Sequence, residues 1–160
     1  MPRRLRLVEL DFASSAPVRL VFTADLAAPP AAVYRSLAEE LADMPTWFSA
    51  VASATPTDGG ASRTVRLRGG VRFQETIMAA EPGARYAYRI DETNAPGVRA
   101  MLEDWVLSPA GQGTQVRWTM AVDGPAACRL AFRLARPGVG KSFKDAMRNL
   151  DRRLTPARRP

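Results

Sequence analysis

Histidine is absent from this 160-residue chain, and cysteine occurs once, at Cys128. Without histidine there is no Ser–His or Cys–His nucleophile pair, and the commonest zinc ligand is missing. A single cysteine excludes an internal disulfide and a thiolate metal cluster. No carboxylate spacing argues for a metal either. The sequence therefore predicts neither a metal site nor a cofactor, and we expect the Cys128 thiol to be inert.

Long apolar runs are also missing, since no stretch approaches the roughly 20 residues that a membrane-spanning helix needs. The basic start at Arg3 and Arg4 is followed by Glu9 and Asp11 before any apolar segment forms, which does not fit a signal peptide. Hydrophobic residues make up 46% of the chain and charged residues 24%, as in a folded protein. The length predicts one domain, and the expected location is cytoplasmic.

Acidic residues are scarce at one end of the chain. Residues 1–128 carry 13 Lys/Arg and 14 Asp/Glu, whereas residues 129–160 carry 10 and 2. The net charge of +7 therefore comes from the C-terminal segment. A solvated helix face with a basic tail at 156–160 is the simplest interpretation. Contact with acidic lipid or RNA is the alternative, and DNA binding is not predicted.

Two glutamates occupy positions at which the strand pattern calls for apolar side chains. Glu75 lies two residues after Phe73, and Glu103 lies two residues after Met101. Side chains two apart share one face of a strand, so both carboxylates should point inward. A buried carboxylate is costly unless it is paired, hydrogen-bonded or beside a wet cavity. The pattern therefore predicts a pocket with a few polar groups in its wall.

Turn residues divide most of the chain into short strands. Strands are predicted at 18–27, 51–57, 61–68, 71–80, 85–92, 98–108 and 114–122. Pro29 and Pro30 should open a helix that runs to about Ala42 and is stopped by Pro45. Residues 1–17 form an N-terminal extension, with a possible extra strand over 5–12. Short, evenly spaced strands favour one curved antiparallel sheet.

A helical segment is predicted to start at Pro125. Leu130 and Leu134 are assigned to its inward face, beside a basic stripe of Arg129, Arg133 and Arg136. Pro137-Gly138 should kink or break the helix. It should resume with one apolar face, which the 4-3-4 spacing of Phe143, Met147, Leu150 and Leu154 defines.

Four short motifs, in this order and spacing, carry a resemblance to a known family. They are Ala28-Pro29-Pro30-Ala31-Ala32-Val33-Tyr34, Asp43-Met44-Pro45-Thr46-Trp47-Phe48, Arg85-Tyr86-Ala87-Tyr88-Arg89 and Gly113-Thr114-Gln115-Val116-Arg117-Trp118. Over residues 18–155 the chain resembles the polyketide cyclase/dehydrase and lipid-transport-like branch of the START-like (SRPBCC) superfamily. The resemblance implies an α+β helix-grip fold, in which a curved antiparallel sheet of about seven strands wraps a long C-terminal helix around a cavity.

Candidate ligand-binding residues are the inward side chains of the predicted sheet and last helix. They are Phe73, Glu75, Tyr86, Tyr88, Met101, Glu103, Trp105, Trp118, Met120, Phe143 and Met147. Hairpin turns place Tyr88 opposite both Glu75 and Glu103, with the carboxylates roughly 9.6 Å apart. Arg63 or Arg99 is the candidate partner that would neutralise a glutamate. The opposite face, which includes Asp104 and Thr119, is predicted to be wet.

Three functions are compatible with these features. The leading hypothesis is the binding of a hydrophobic or amphipathic small molecule, lipid- or polyketide-like, in the cavity. The second is an enzyme resembling the family's aromatase/cyclases, with Glu75, Tyr88 and Glu103 as acid–base candidates, although no catalytic residue is assigned. The third is docking to an anionic surface, membrane or RNA, through the basic C-terminal segment.

Overall fold

The computed structural model describes residues 1–156, and the predicted basic tail lies outside the described residues from 157 onward. The strands are β1 (Arg3–Arg4), β2 (Val18–Leu26), β3 (Val51–Thr57), β4 (Ser62–Leu67), β5 (Arg72–Glu81), β6 (Arg85–Thr93), β7 (Ala100–Ala110) and β8 (Gly113–Asp123). The helices are α1 (Phe12–Ser15), α2 (Pro30–Ala38), α3 (Met44–Trp47) and α4 (Ala126–Leu154), with short 3₁₀ turns at Leu41–Asp43 and Asp58–Gly60.

All neighbouring strands of the sheet run antiparallel. The order is β2-β8-β7-β6-β5-β4-β3, and β1 pairs with the end of β6. Long-range pairing of β2 with β8, from Val18 opposite Val122 to Leu26 opposite Thr114, brings the first long strand beside the last. The sheet wraps around α4, so the predicted helix-grip architecture is confirmed. Each of the seven predicted strands lies within two residues of its observed bounds at either end.

The short helices after β2 differ in detail from the prediction. Pro30 is the first residue of α2, where its missing N–H is tolerated. The helix ends at Ala38 rather than about Ala42, and Pro45 lies in the first turn of α3. The prediction that Pro45 stops the preceding helix is therefore wrong, because the same property that bars proline from a helix interior suits it to a helix start.

The N-terminal extension covers part of the outer face of the sheet. Its strand pairing involves only Arg3–Arg4, so the strand predicted over 5–12 is wrong, and the chain turns helical at Phe12. Val8 and Phe12 pack with Leu102 and Ala121 in a small second core. Asp104 and Thr119, which were predicted to be wet, are also buried, and the Asp104 carboxylate accepts two hydrogen bonds from Arg85 at 3.0 Å.

The last helix is continuous from Ala126 to Leu154 despite Pro137. Its helical phase is set by Phe143, Ala146 and Leu150, which are at most 1% exposed. Extending that phase toward the N-terminus turns the inward face to Phe132 and Val139, which are partly buried against the core. Leu130 and Leu134 therefore lie on the outer side, 54% and 73% exposed.

The inward assignment of Leu130 and Leu134 is thus wrong. A break at Pro137 would have allowed the two helix halves to rotate independently, but an unbroken helix keeps one phase.

Hydrogen bonds join the C-terminal end of α4 to the turn after β2. The Asp151 carboxylate accepts hydrogen bonds from the backbone N–H groups of Ala27 and Ala28, at 3.0–3.1 Å. The Thr114 hydroxyl donates to the Ala28 carbonyl at 2.7 Å. These contacts fix the helix over the sheet, and they leave its first half as the wall of a cavity.

Candidate functional site

A cavity of about 320 Å³, partly open to solvent, lies between the inner face of the sheet and the first half of α4. Leu37, Met44 and Phe48 close one end, and Phe132, Ala135, Val139 and Ser142 form the helix side. The remaining lining comes from β3 to β8, from the β6–β7 connection, and from Ala50 and Val71 beside the strand ends. Its surface is almost wholly apolar, with the charged groups confined to Arg63, Glu75 and Glu103.

Nine of the eleven sequence-predicted binding residues line this cavity. They are Phe73, Glu75, Tyr86, Tyr88, Met101, Glu103, Trp105, Trp118 and Met120. Phe143 and Met147 do not line it. Phe143 instead packs between Phe22 and the two indoles, with ring centroids 5.7–6.0 Å apart. Met147 is buried further along the helix, where the sheet and α4 are in direct contact.

Arg63 and Glu75 form a buried ion pair in the cavity wall. Arg63 Nε donates to Glu75 Oε2 at 2.5 Å, and both side chains are at most 3% exposed. The pairing of β4 with β5 places the two residues directly opposite each other. Arg63, one of the two predicted partners, is therefore confirmed, whereas Arg99 is exposed and makes no ion pair with a described residue.

The Arg63 guanidinium also lies over two aromatic rings. Its Cζ atom is 4.0 Å from the centroid of Tyr88 and 5.3 Å from that of Tyr86. Such contacts stabilise a desolvated cation. Arg63 Nη1, however, is buried and has no hydrogen-bond partner among the described residues. A buried donor without a partner is costly.

Burial sets the protonation of the pair. Burial raises the pKa of the Glu75 carboxyl to about 7, although the Arg63 guanidinium opposes the rise and Glu103 adds to it. Burial lowers the pKa of Arg63, but the Glu75 carboxylate together with Tyr88 and Tyr86 more than offsets this, and the net direction is upward. Arginine therefore stays charged, and Glu75 is the member of the pair that titrates near neutral pH.

A second polar group joins Tyr88, Glu103 and the two indoles. Tyr88 Oη donates to Glu103 Oε2 at 2.5 Å, and Trp118 Nε1 donates to the same oxygen at 3.1 Å. Trp105 Nε1 donates to Tyr88 Oη at 3.2 Å. The indole rings stack with centroids 5.0 Å apart. The two tryptophans therefore serve as hydrogen-bond donors as well as apolar wall.

The Glu103 carboxyl is also shifted toward its neutral form. Burial raises its pKa, while the Tyr88 hydrogen bond, the Arg63 charge and the Trp118 hydrogen bond oppose the rise. Burial and then the Glu103 charge raise the pKa of Tyr88 well above its ordinary value. Tyr88 is consequently a donor at neutral pH rather than a phenolate.

The predicted row of Glu75, Tyr88 and Glu103 is half correct. Tyr88 does lie opposite Glu103, but Glu75 lies opposite Ile90, two residues further along β6. The hairpin loop is centred on Gly83, and the register shifts between Ile77 and Ala79. Together these features move β6 by two residues relative to the prediction. Arg63, which contacts both Glu75 and the Tyr88 ring, connects the two polar groups instead.

The helix side of the cavity is what sequence reasoning missed. Phe132, Ala135 and Val139 line the cavity, and they share the helical face of Phe143. The signal was present as a 3- to 4-residue spacing that continues through Pro137. Within residues 1–156, no cluster of three or more acidic or cysteine side chains has metal-binding geometry. No helix of that same range is long and apolar enough to cross a membrane.

The family model for polyketide cyclase/dehydrase and lipid transport matches residues 17–155. The chain belongs to this family. The resemblance inferred from the four sequence motifs is thereby confirmed. A protein of Mycobacterium tuberculosis that carries only the description uncharacterized is 33% identical over 156 residues, which cover 94% of this chain and 92% of the relative. A Mycobacterium bovis protein with the same description matches to the same extent.

Two solved structures with low sequence identity to this chain share its fold. A START superfamily protein from Mycobacterium smegmatis has a TM-score of 0.66 and 10% identity, covering 85% of this chain and 96% of that one. The ginseng major latex-like protein 151 has a TM-score of 0.69 and 10% identity, with coverages of 87% and 98%. At these identities the likeness establishes the helix-grip fold and leaves ligand and activity to this chain's own residues.

Proposed function

We propose that this protein binds a hydrophobic or amphipathic small molecule, lipid- or polyketide-like, in the cavity between the sheet and α4. The observation that supports the proposal is an apolar cavity of about 320 Å³ with its charged groups gathered in one wall. That volume falls in the usual range for small-molecule sites, about 300–1,000 Å³. A concave apolar surface binds by removing apolar ligand area from water, while the few polar groups fix orientation.

The polar wall favours a ligand with a neutral hydrogen-bond acceptor, such as a ketone, ester or alcohol oxygen. Arg63 Nη1 supplies the unpartnered donor. The positive charge of Arg63 is already offset by Glu75, and Glu103 stands nearby in the same cavity. A ligand carboxylate would add a negative charge to a wall that holds two carboxyl groups, which is unfavourable. We therefore expect neutral ligands to bind more tightly than their acidic counterparts.

Native mass spectrometry of freshly purified protein, followed by thermal shifts across a lipid and aromatic panel, tests ligand binding. Val139→Trp should fill part of the cavity and remove co-purified ligand, because Val139 lines it. Ala131→Trp is the matched control, since it adds the same ring to the exposed outer side of the helix. If no molecule co-purifies and no panel member raises the melting temperature, the proposal is wrong. Equal binding by both variants would place the site elsewhere.

A pair of probes tests the role of Arg63. 2-Acetylnaphthalene should bind about tenfold more tightly than 2-ethylnaphthalene, as expected for one additional hydrogen bond to a charged donor. Arg63→Lys keeps a cation beside Glu75 but lacks the second guanidinium N–H, so it should abolish the difference. An unchanged difference in the Arg63→Lys variant would mean that another group recognises the oxygen.

An aromatase/cyclase-like enzyme is the second candidate function. The supporting observation is a set of acid–base groups within one apolar cavity, in which the pKa of Glu75 is raised to about 7 and Tyr88 donates to Glu103. A group with a pKa near the working pH is suited to proton transfer. Glu75→Gln and Glu103→Gln should then keep the affinity for a poly-β-keto thioester but lose its conversion to aromatic products. Loss of affinity alone supports binding.

A further inference from the structure

We propose that the outer side of the first half of α4 docks onto membranes that contain anionic lipid. This docking surface consists of the exposed Ala127, Leu130, Ala131 and Leu134 together with the exposed Arg133 and the half-buried Arg129. The two leucines are one helical turn apart and are 54% and 73% exposed. Leu130 and Leu134 are also, with Met1 and Leu7, the large apolar side chains that residues 1–156 expose to solvent.

The charge around the leucines matches an anionic surface. The helix Ala126–Leu154 carries eight Lys/Arg and two Asp residues. Asp145 pairs with Lys141, and Asp151 binds the backbone after β2. Among the ion pairs of the described residues, none involves Arg129 or Arg133. Arg133 Nη2 donates to the Pro17 carbonyl at 3.4 Å, but no acidic side chain of residues 1–156 pairs with either arginine, as expected for a helix that lies at a lipid interface.

The leucines favour a membrane over the other partners of a basic surface. RNA offers phosphates to the arginines, but single-stranded RNA is usually also bound by stacking on aromatic side chains, and this surface has none. A second copy of the chain would bring two positively charged helices together, which is unfavourable. At a bilayer surface the leucines can be buried at the boundary between headgroups and acyl chains, while the arginines pair with anionic headgroups.

The position of the surface ties docking to the cavity. Phe132, Ala135 and Val139 line the cavity from the inner side of the same helix half. Pro137 removes one backbone hydrogen bond between this half and the firmly packed half that follows. Docking would thus bring the cavity wall to the lipid surface. The surface itself is argued from exposure and charge alone and does not require a cavity ligand.

Vesicle co-sedimentation of the full chain tests the proposal without any cavity ligand. We expect the protein to bind phosphatidylcholine vesicles containing about 30% phosphatidylglycerol at least tenfold more tightly than pure phosphatidylcholine vesicles. Binding should weaken strongly when NaCl is raised from about 50 mM to about 500 mM, since the exposed charges become screened. Val139→Trp should bind the same vesicles normally, so failure of ligand binding and failure of docking are distinguishable.

Two sets of variants separate the leucines from the arginines. Leu130→Ser/Leu134→Ser and Arg129→Gln/Arg133→Gln should each weaken binding about tenfold. Leu7→Ser is the matched control, because it removes an exposed leucine from another part of the molecule. Circular dichroism confirms that each variant is folded.

Several results would overturn the proposal. These are absence of vesicle binding, equal binding to both vesicle types, and unchanged binding of the leucine variant. If the protein binds RNA in a salt-sensitive way but does not bind vesicles, the surface is a nucleic-acid-binding surface instead. A concentration-dependent dimer that Leu130→Ser/Leu134→Ser abolishes would assign it to self-association.

Discussion

Replacing Arg63 with methionine should destabilise the fold, and the loss should grow between about pH 6 and about pH 9. Methionine fills much of the volume of arginine but leaves Glu75 without its cation in a wall where both side chains are at most 3% exposed. Breaking one partner of a buried ion pair typically costs about 3–5 kcal/mol. Losing the cation above the Tyr88 ring, 4.0 Å away, adds about 1–2 kcal/mol.

The pH dependence follows from the direction in which the Glu75 pKa moves. With Arg63 present it is already about 7, and removing the opposing charge raises it further. A group whose pKa is raised on folding contributes stability at low pH, and this contribution is lost as the pH rises through the folded-state pKa. Below neutral pH the variant keeps Glu75 protonated and avoids most of the ion-pair cost. Above neutral pH, the free energy of unfolding of the variant falls by about 1.4 kcal/mol for each unit by which the pKa of Glu75 in the variant exceeds that in the parent.

Urea denaturation followed by tryptophan fluorescence at the two pH values measures the effect. Arg66→Met is the matched control, since this arginine is exposed on the same strand, and it should change the free energy of unfolding by less than about 0.5 kcal/mol. The double variant Arg63→Met/Glu75→Met should recover stability to within about 1–2 kcal/mol of the parent, because no buried charge remains. The reasoning is refuted if Arg63→Met costs less than about 1 kcal/mol at both pH values, or if the double variant is as unstable as the sum of the single variants.

Three further outcomes are expected. In the parent, raising the pH from about 4.5 to about 7 should lower the free energy of unfolding by up to about 3 kcal/mol, since the pKa of Glu75 is raised on folding to about 7. The Glu75→Gln variant lacks the titrating carboxyl group and should not show this dependence on pH. Tyr88→Phe should cost about 1–3 kcal/mol, because it removes the hydroxyl that joins an indole to the Glu103 carboxylate. Asp151→Ala should cost about 2 kcal/mol, because it leaves two backbone N–H groups after β2 without their acceptor. Chemical denaturation measures all three.

Matched variants control for the Tyr88→Phe and Asp151→Ala predictions. Tyr86→Phe removes a hydroxyl from a neighbouring ring that lines the same cavity, and Asp145→Ala removes an outward carboxylate from the same helix. A flat free energy of unfolding in the parent between about pH 5 and pH 7 would contradict the raised pKa of Glu75. Equal stability of Tyr88→Phe and Tyr86→Phe, or of Asp151→Ala and Asp145→Ala, would contradict the corresponding hydrogen-bond geometry.

Strand positions and strand faces were predictable because both depend on local chemistry. Turn residues mark where a strand ends, and the two-residue period decides which side chains share a face. The inward assignment of Glu75, Tyr88, Glu103 and their apolar neighbours therefore needed no knowledge of distant contacts. Nine of the eleven predicted side chains line the cavity for this reason, although their binding of a ligand stays a prediction.

Register was less predictable, since it depends on loop geometry and on irregularities within a strand. A loop centred on Gly83 and a register shift after Ile77 moved Glu75 from Tyr88 to Ile90. Neither feature has an unambiguous signal in the residues concerned. Tyr88 and Glu103 lie opposite each other as predicted because the pairing between β6 and β7 has no such shift.

By itself the sequence determined the order of the seven long strands and of the two longest helices, the inward face of the sheet and the presence of two carboxylates in that face, because period and turn chemistry act over a few residues. Tertiary structure decided that Arg63 rather than Arg99 pairs with Glu75, since strand pairing brings together residues 12 positions apart. It also decided that Leu130 and Leu134 face outward. Packing of the distant half of α4 fixes the helical phase, and the local sequence around Pro137 cannot.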